Sequence, residues 1–162
     1  MQDPSRLAVR RLSPDDWEEF RRIRLRALAE APEAFSSTLA QAIHLEEAEW
    51  RHRLGSRAQF IALAGPEAVG TAGGIETDAR AELISMWVDP AARRSGVGAR
   101  LVSAVVEWAR SRGHSTLWLW VVEGNHAAER LYAGQGFTRT GKSQSVDGQR
   151  PTRREVEMRL SL

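Results

Sequence analysis

Apolar positions recur along this chain with two periods, and the switches between them mark its elements. Leu7-Ala8-Val9-Arg10-Arg11-Leu12 reads as a first strand. Ser13-Pro14-Asp15-Asp16 is a helix start: a serine cap, a proline at the first position, acids in the first turn. Trp17, Phe20, Ile23, Ala27 and Leu28 follow near helical spacing, and Ala31-Pro32 ends the run. Residues 33–44 show no period and read as a loop. Residues 45–54 predict a second, shorter helix, with Glu46 and Glu47 early, Arg51 and Arg53 late, and Gly55 as its stop. Apolar runs at 60–64 and 68–76 predict a hairpin around Gly65-Pro66-Glu67, and Thr77-Asp78-Ala79-Arg80 turns into the strand Leu83-Ile84-Ser85-Met86-Trp87-Val88.

The second half repeats the alternation. Val97, Leu101, Val105, Trp108 and Ala109 form one stripe of a helix that Gly113 stops. Leu117-Trp118-Leu119-Trp120-Val121-Val122 is a buried-strand run. Val146-Asp147-Gly148-Gln149 is a turn signal. The last strand alternates, with Val156, Met158 and Leu160 inward and Glu155, Glu157 and Arg159 outward. The order βααβββαβαββ predicts an α/β fold with a central mixed sheet and helices on both faces.

At 162 residues the chain suits a single domain spanning 1–162. Its apolar content of 42% and charged content of 27% are those of an ordinary globular protein. No apolar run reaches membrane-spanning length, and the first residues lack the apolar stretch of a secretory signal. The absence of cysteine excludes disulfides and thiolate-bound zinc, and fits a cytoplasmic location. No metal site is expected: His44 and His52 lie eight positions apart, no His-Glu-x-x-His pattern occurs, and His114 and His126 read as surface residues. The net charge is +2, and Lys142 is the one lysine among the basic residues. The run Arg21-Arg22-Ile23-Arg24-Leu25-Arg26 is flanked by acids and not interleaved with exposed aromatics, so nucleic acid is not the expected partner.

Between the strand at 83–88 and the helix from Val97 lies Arg93-Arg94-Ser95-Gly96-Val97-Gly98-Ala99. Read as strand, glycine-rich turn and helix start, it makes an anion cradle. Glycines let the backbone turn tightly, and amides at a helix N-terminus point at anionic oxygens. A P-loop would continue with Lys-Ser/Thr, where Ala99-Arg100 stands. A dinucleotide fingerprint needs a third glycine, where Leu101 stands. Taken alone, the segment also reads as a glycine-rich connection before an ordinary helix. Downstream, after the strand at 117–122, comes Glu123-Gly124-Asn125-His126-Ala127-Ala128-Glu129-Arg130-Leu131-Tyr132-Ala133-Gly134-Gln135-Gly136-Phe137. An asparagine opens a helix, a Leu-Tyr pair follows, and Gly-Phe closes it.

In order and spacing the two segments resemble those of the Gcn5-related N-acetyltransferases, the GNAT family, from about residue 82 to 137. The βααβββαβαββ order is also similar to that family's plan. The resemblance implies acetyl-coenzyme A as cofactor and direct acetyl transfer to an amine within a ternary complex. It implies cofactor contacts at Met86, Trp87 and Val88, at Arg93, Arg94, Ser95, Gly96, Val97, Gly98 and Ala99, and at Asn125 and Arg130. Tyr132, the only tyrosine, stands where the family places the proton donor to the departing thiolate. Glu82 stands at a strand position where some members carry a general base, with Glu76 as the rival. A base is needed because a lysine-like amine, with a pKa near 10.4, is almost wholly protonated at neutral pH. The acceptor, a small-molecule or peptide amine, is shaped in the family by residues matching 33–54 and 141–152. Phe35, Ser36, Ser37, Trp50 and one or two other tryptophans are candidates to line its pocket. Family members often form dimers. Two other functions stay open: a non-catalytic acyl-coenzyme A-binding module, and a nucleic-acid-binding domain with a phosphate-binding turn.

Overall fold

A computed structural model describes residues 6–146 and 152–162, so the turn expected at 146–149 falls, past Val146, outside the described residues. The elements are β1 (Leu7–Arg11), α1 (Trp17–Glu30), α2 (Leu39–Ala42), α3 (Glu47–Gly55), β2 (Ala58–Ala64), β3 (Glu67–Thr77), β4 (Arg80–Val88), α4 (Val97–Ser111), β5 (Thr116–Val122), α5 (His126–Gly134), β6 (Thr138–Ser145) and β7 (Arg154–Ser161). The expected order holds with one addition. Residues 33–44, expected as loop, contain α2, a single turn whose Thr38 and Gln41 cap each other reciprocally. So short a helix leaves no apolar period to read. The serine-proline start of α1 is a 3-10 turn, Pro14–Asp16, before the α-helix proper.

The seven strands form one sheet in the order β1-β2-β3-β4-β5-β7-β6. Every neighbouring pair is antiparallel except β4 and β5. That parallel step needs a crossover, and α4 supplies it. The β3–β4 hairpin turns on Asp78 and Ala79, both at positive φ (49° and 63°), as a two-residue loop matched to strand twist requires.

Each face of the sheet has its own core. On one face Phe20, Ile23, Ala27 and Leu28 of α1 pack with Trp50 and Leu54 of α3 against Ile61 and Trp87. On the other, Val97, Leu101, Val102 and Val105 of α4 pack with Tyr132 and Phe137 against Ala72, Leu83, Leu117, Leu119 and Met158. The glycines of β3 let α4 approach closely: a methyl on Gly74 would lie 2.4 Å from the Trp108 ring, and one on Gly70 would lie 3.0 Å from Leu101 and Val97.

One tryptophan is core, as its pattern implies, and two charged side chains sit deeper than theirs does. Trp50 is fully buried, edge-on to Phe20 at 5.5 Å, with its indole N–H donating to the Leu45 carbonyl, so it is core. Glu157, expected outward, is 1% exposed. Alternation was right about the face but not about its cover, because Arg80 and Thr140 close over that carboxylate from β4 and β6. Arg24 is 7% exposed within the apolar stripe of α1.

Candidate active site

β4 and β5 share only three register pairs, the last being Leu83 with Leu119. The cause is local. On β3 one residue separates Thr71 from Gly73, while their partners on β4, Trp87 and Ile84, are separated by two. The extra residue is a bulge, and Ser85 within it takes φ 56°. Past the bulge β4 stays on β3 through Trp87 and Val88 but no longer pairs with β5. Its β5-facing edge is left without a strand partner in the middle of a sheet, where main-chain groups otherwise find one.

The parted strands open into a cleft of about 1050 Å³. Met86, Trp87 and Val88 line it from β4, Val122 from β5, and Asn125, Ala128, Arg130 and Leu131 from the start and middle of α5. The segment before α4 contributes Arg93, Arg94, Gly96, Gly98 and Ala99. Ten of the twelve expected cofactor contacts thus converge on one cleft. Ser95 and Val97 do not line it: the Ser95 hydroxyl turns back to the Ala92 carbonyl, and the Val97 side chain is buried against β3.

The turn has the backbone of an anion nest. Arg94 (φ 64°) and Gly96 (φ 87°) are left-handed, so successive amides face one concavity. The first amide here to find a helical carbonyl is Arg100, bonded to Gly96 at 3.1 Å. Among the described residues, the amides of 94–99 donate to no backbone carbonyl outside the helix. Gly98 also admits close packing, since a methyl there would lie 2.8 Å from Leu131 of α5. The arginines divide their roles. Arg93 is occupied: it bonds the Glu30 carboxylate at 2.9 Å and the Val88 carbonyl at 3.0 Å. Glu30 also accepts from the Trp87 indole at 2.9 Å, and Arg26 bonds Asp89 at 2.5 Å. The end of α1 therefore braces the turn, and Arg94 and Arg130 remain exposed at the rim. Asn125 caps α5, its side-chain oxygen accepting from the Ala128 amide at 3.3 Å.

Tyr132 is 5% exposed, one residue beyond the cleft-lining Leu131, and packs at 5.8 Å against Phe137. Burial raises its pKa, so the phenol stays protonated at neutral pH. It lies next to the cleft and is not one of the lining residues.

Glu82 pairs with Trp118 one step before the strands part. It points away from the core of Ala81 and Leu83, onto the face that carries Trp118, Trp120, Glu155 and Glu157. Burial raises its pKa, Arg80 at 3.9 Å partly offsets this, and Glu157 and Glu155 push it further up. Burial likewise raises Glu155. Burial alone would raise Glu157, but hydrogen bonds from Arg80 (2.9 Å) and Thr140 (2.8 Å) outweigh it and hold it low. Arg80 lies 3.9 Å above the Trp118 ring. Val122, which lines the cleft, is the register partner of Glu155, so cleft and acidic face adjoin.

Glu76 is elsewhere. Its partner is Ala81, so it lies on the opposite face from Glu82. Hydrogen bonds from Arg112 (2.6 Å) and His114 hold its pKa at about 2. A carboxylate so committed is a poor base. His114, expected as a plain surface residue, is drawn in by this pairing, 16% exposed. No cluster of metal-ligating side chains occurs among the described residues.

The acetyltransferase (GNAT) family model matches residues 15–137. A mycothiol acetyltransferase from Thermobispora bispora is 33% identical over 148 residues, covering 84% of this chain and 48% of that protein. The ribosomal protein bS18-alanine N-acetyltransferase of Haemophilus ducreyi is 40% identical over 57 residues, 35% of this chain and 39% of that protein. The chain spans about half, or less, of the length of these curated relatives. Among solved structures, a GNAT-family acetyltransferase from Streptococcus pneumoniae superposes with a TM-score of 0.81 at 20% identity, over 97% of this chain and 99% of that one. The yncA acetyltransferase of Salmonella typhimurium, solved with its cofactor acetyl-CoA, gives 0.77 at 19% identity, over 97% of this chain and 94% of that one.

Proposed function

The chain belongs to the GNAT acetyltransferase family, and on that premise we propose that it is a single acetyltransferase domain that moves an acetyl group from acetyl-coenzyme A to a primary amine. One observation carries the reading: the strands part after Leu83 and Leu119, and the cleft runs from the freed edge of β4 to the left-handed turn at the start of α4.

The donor set suits such a ligand at both ends. The amides of 94–99, with Arg94 and Arg130, fit a diphosphate. The freed edge at Met86, Trp87 and Val88 fits an amide-rich arm and a carbonyl oxygen that gathers charge during transfer. Leu131 and Ala128 give that arm an apolar wall. When bound, the coenzyme supplies an acyl group activated as a thioester. Everything else falls to the chain. Glu82, with its raised pKa, takes the amine's proton, directly or through water. Tyr132 keeps its proton at neutral pH and gives it to the departing sulfur. The absence of cysteine leaves no thiol to carry the acetyl group, so the amine attacks directly with both substrates held together.

The test is a thermal shift with acetyl-coenzyme A followed by a thiol-release screen of amines. At about a hundred times its dissociation constant the coenzyme stabilises the fold by roughly 2.7 kcal/mol. No shift would refute the cofactor reading. A shift with no thiol released across the screen would leave a binding module instead of an enzyme.

A further inference from the structure

Three arginines crowd the sheet face that also carries Glu82, and among the described residues no acid pairs with them. Arg24 sits at the centre of α1's buried stripe, its guanidinium carbon 4.6 Å above the Phe35 ring. Its Nη1 is buried without a hydrogen-bond partner, and so is Nε of Arg57. Among the described residues no carboxylate lies within ion-pairing distance of Arg24, Arg53 or Arg57. The three repel one another. Burial first, then Arg57 and Arg53, lowers the Arg24 pKa to about 10. Burial, then Arg53, lowers that of Arg57 to about 10. Both stay cationic at neutral pH.

An unpaired buried cation is among the most unfavourable arrangements a fold can hold. Violations of this kind concentrate where a ligand supplies what the protein lacks. The position fits a ligand. Arg57 precedes Ala58, whose partner Gly74 in turn faces Leu83, the last residue of β4 paired with β5. It alternates with Gln59 and Ile61, and Ile61 packs on α1. Arg57 and Glu82 therefore share a face two strands apart, about 10 Å. The reach of the two side chains spans most of that gap.

Resting on the assignment of Glu82 as the amine's proton acceptor, we propose that Arg24 and Arg57, with Arg53 beside them, form an anion subsite, and that the acceptor is a compact amine bearing its own carboxylate or phosphate group. The guanidinium fork suits the paired oxygens of either group. The amine end meets Glu82 and the negative end meets the arginines, so charge at both ends sets the acceptor's orientation in the site.

Two measurements test this, in wild type, Arg24→Met and Arg57→Gln. With coenzyme A saturating, so that the α4 turn is filled, inorganic phosphate and β-alanine are titrated in thermal melts. The expected result is a rise in Tm for wild type that both variants lose. In thiol release, β-alanine and 2-aminoethylphosphonate are compared with propylamine, each rate referred to its neutral amine. The charged amines should show a kcat/KM higher by about tenfold or more. That ratio should fall towards one in both variants, and the better of the two charged amines separates carboxylate from phosphate. Equal use of all three amines by wild type, or phosphate-induced stabilisation that survives in both variants, would overturn the proposal. Arg24→Met alone should melt above wild type without ligand, because it removes an unpaired buried charge. If coenzyme A itself fails to bind, the cofactor reading falls, and the phosphate titration across the variants still decides the arginine subsite.

Discussion

Two glutamates on neighbouring strands show how much a single position decides. Glu76 and Glu82 both read from sequence as strand-end carboxylates, and one register step places them on opposite faces. Glu76, bonded to Arg112 and His114, has a folded pKa of about 2, below its ordinary 4.5. Its contribution to stability is therefore present above about 4.5 and is lost as pH falls towards about 2. Glu76→Gln should lower Tm at pH 7, the gap should close as pH approaches about 2, and the pH–rate profile should not change. Glu82 is shifted upward, mainly by burial. The acidic limb of kcat/KM should lie above the usual carboxylate range and vanish in Glu82→Gln; a limb that persists excludes Glu82 as the base. For Tyr132→Phe the expected loss is roughly a hundredfold in kcat with coenzyme affinity unchanged, and near-normal turnover would remove it from the mechanism. Arg24 was legible only in part. It falls four residues after Phe20 and one after Ile23, on the stripe itself, yet its charge groups it with the solvated run 21–26. Position on the stripe was the better signal.

At the scale of elements, β3, β4 and α4 act together. The glycines of β3 let α4 lie close, and the start of α4 lines the same cleft as the parted edge of β4. Gly74→Ala tests this packing. Its methyl would lie 2.4 Å from the Trp108 ring, which overpacks the contact. Urea melts should show a loss of about 1–3 kcal/mol. Gly55→Ala, at a helix end where a methyl meets open space, should be neutral or stabilising. An equal loss at both positions would mean that packing is not the cause. Hydrophobic period located nearly every element, because period is a local property. It carried no trace of the Ser85 bulge or of the point where β4 leaves β5. Those depend on which strand lies alongside.

For the whole molecule, the consequential fact is one sheet serving two cores. Trp50 and Trp87 belong to the α1 core, and Trp108 packs on the α4 core. Neither core survives loss of the sheet, so unfolding should be a single event. Tryptophan fluorescence and far-UV circular dichroism should give coincident thermal transitions, and acetyl-coenzyme A should move both together. Two separated transitions would show that the faces fold independently.

By itself the sequence determined the order of every element but α2, the faces that become cores and the glycine-rich turn, all written in local period and local backbone freedom. The family came from the resemblance of two segments taken together. Tertiary structure alone decided that Arg93 braces Glu30 while Arg94 stays at the rim, that Glu76 and Glu82 part company, that Glu157 is covered, and that Arg24 and Arg57 are buried with no acid paired to them among the described residues. Each of these is a contact between residues far apart in the chain. Its free energy depends on the burial and the charges of neighbours that no window of sequence contains.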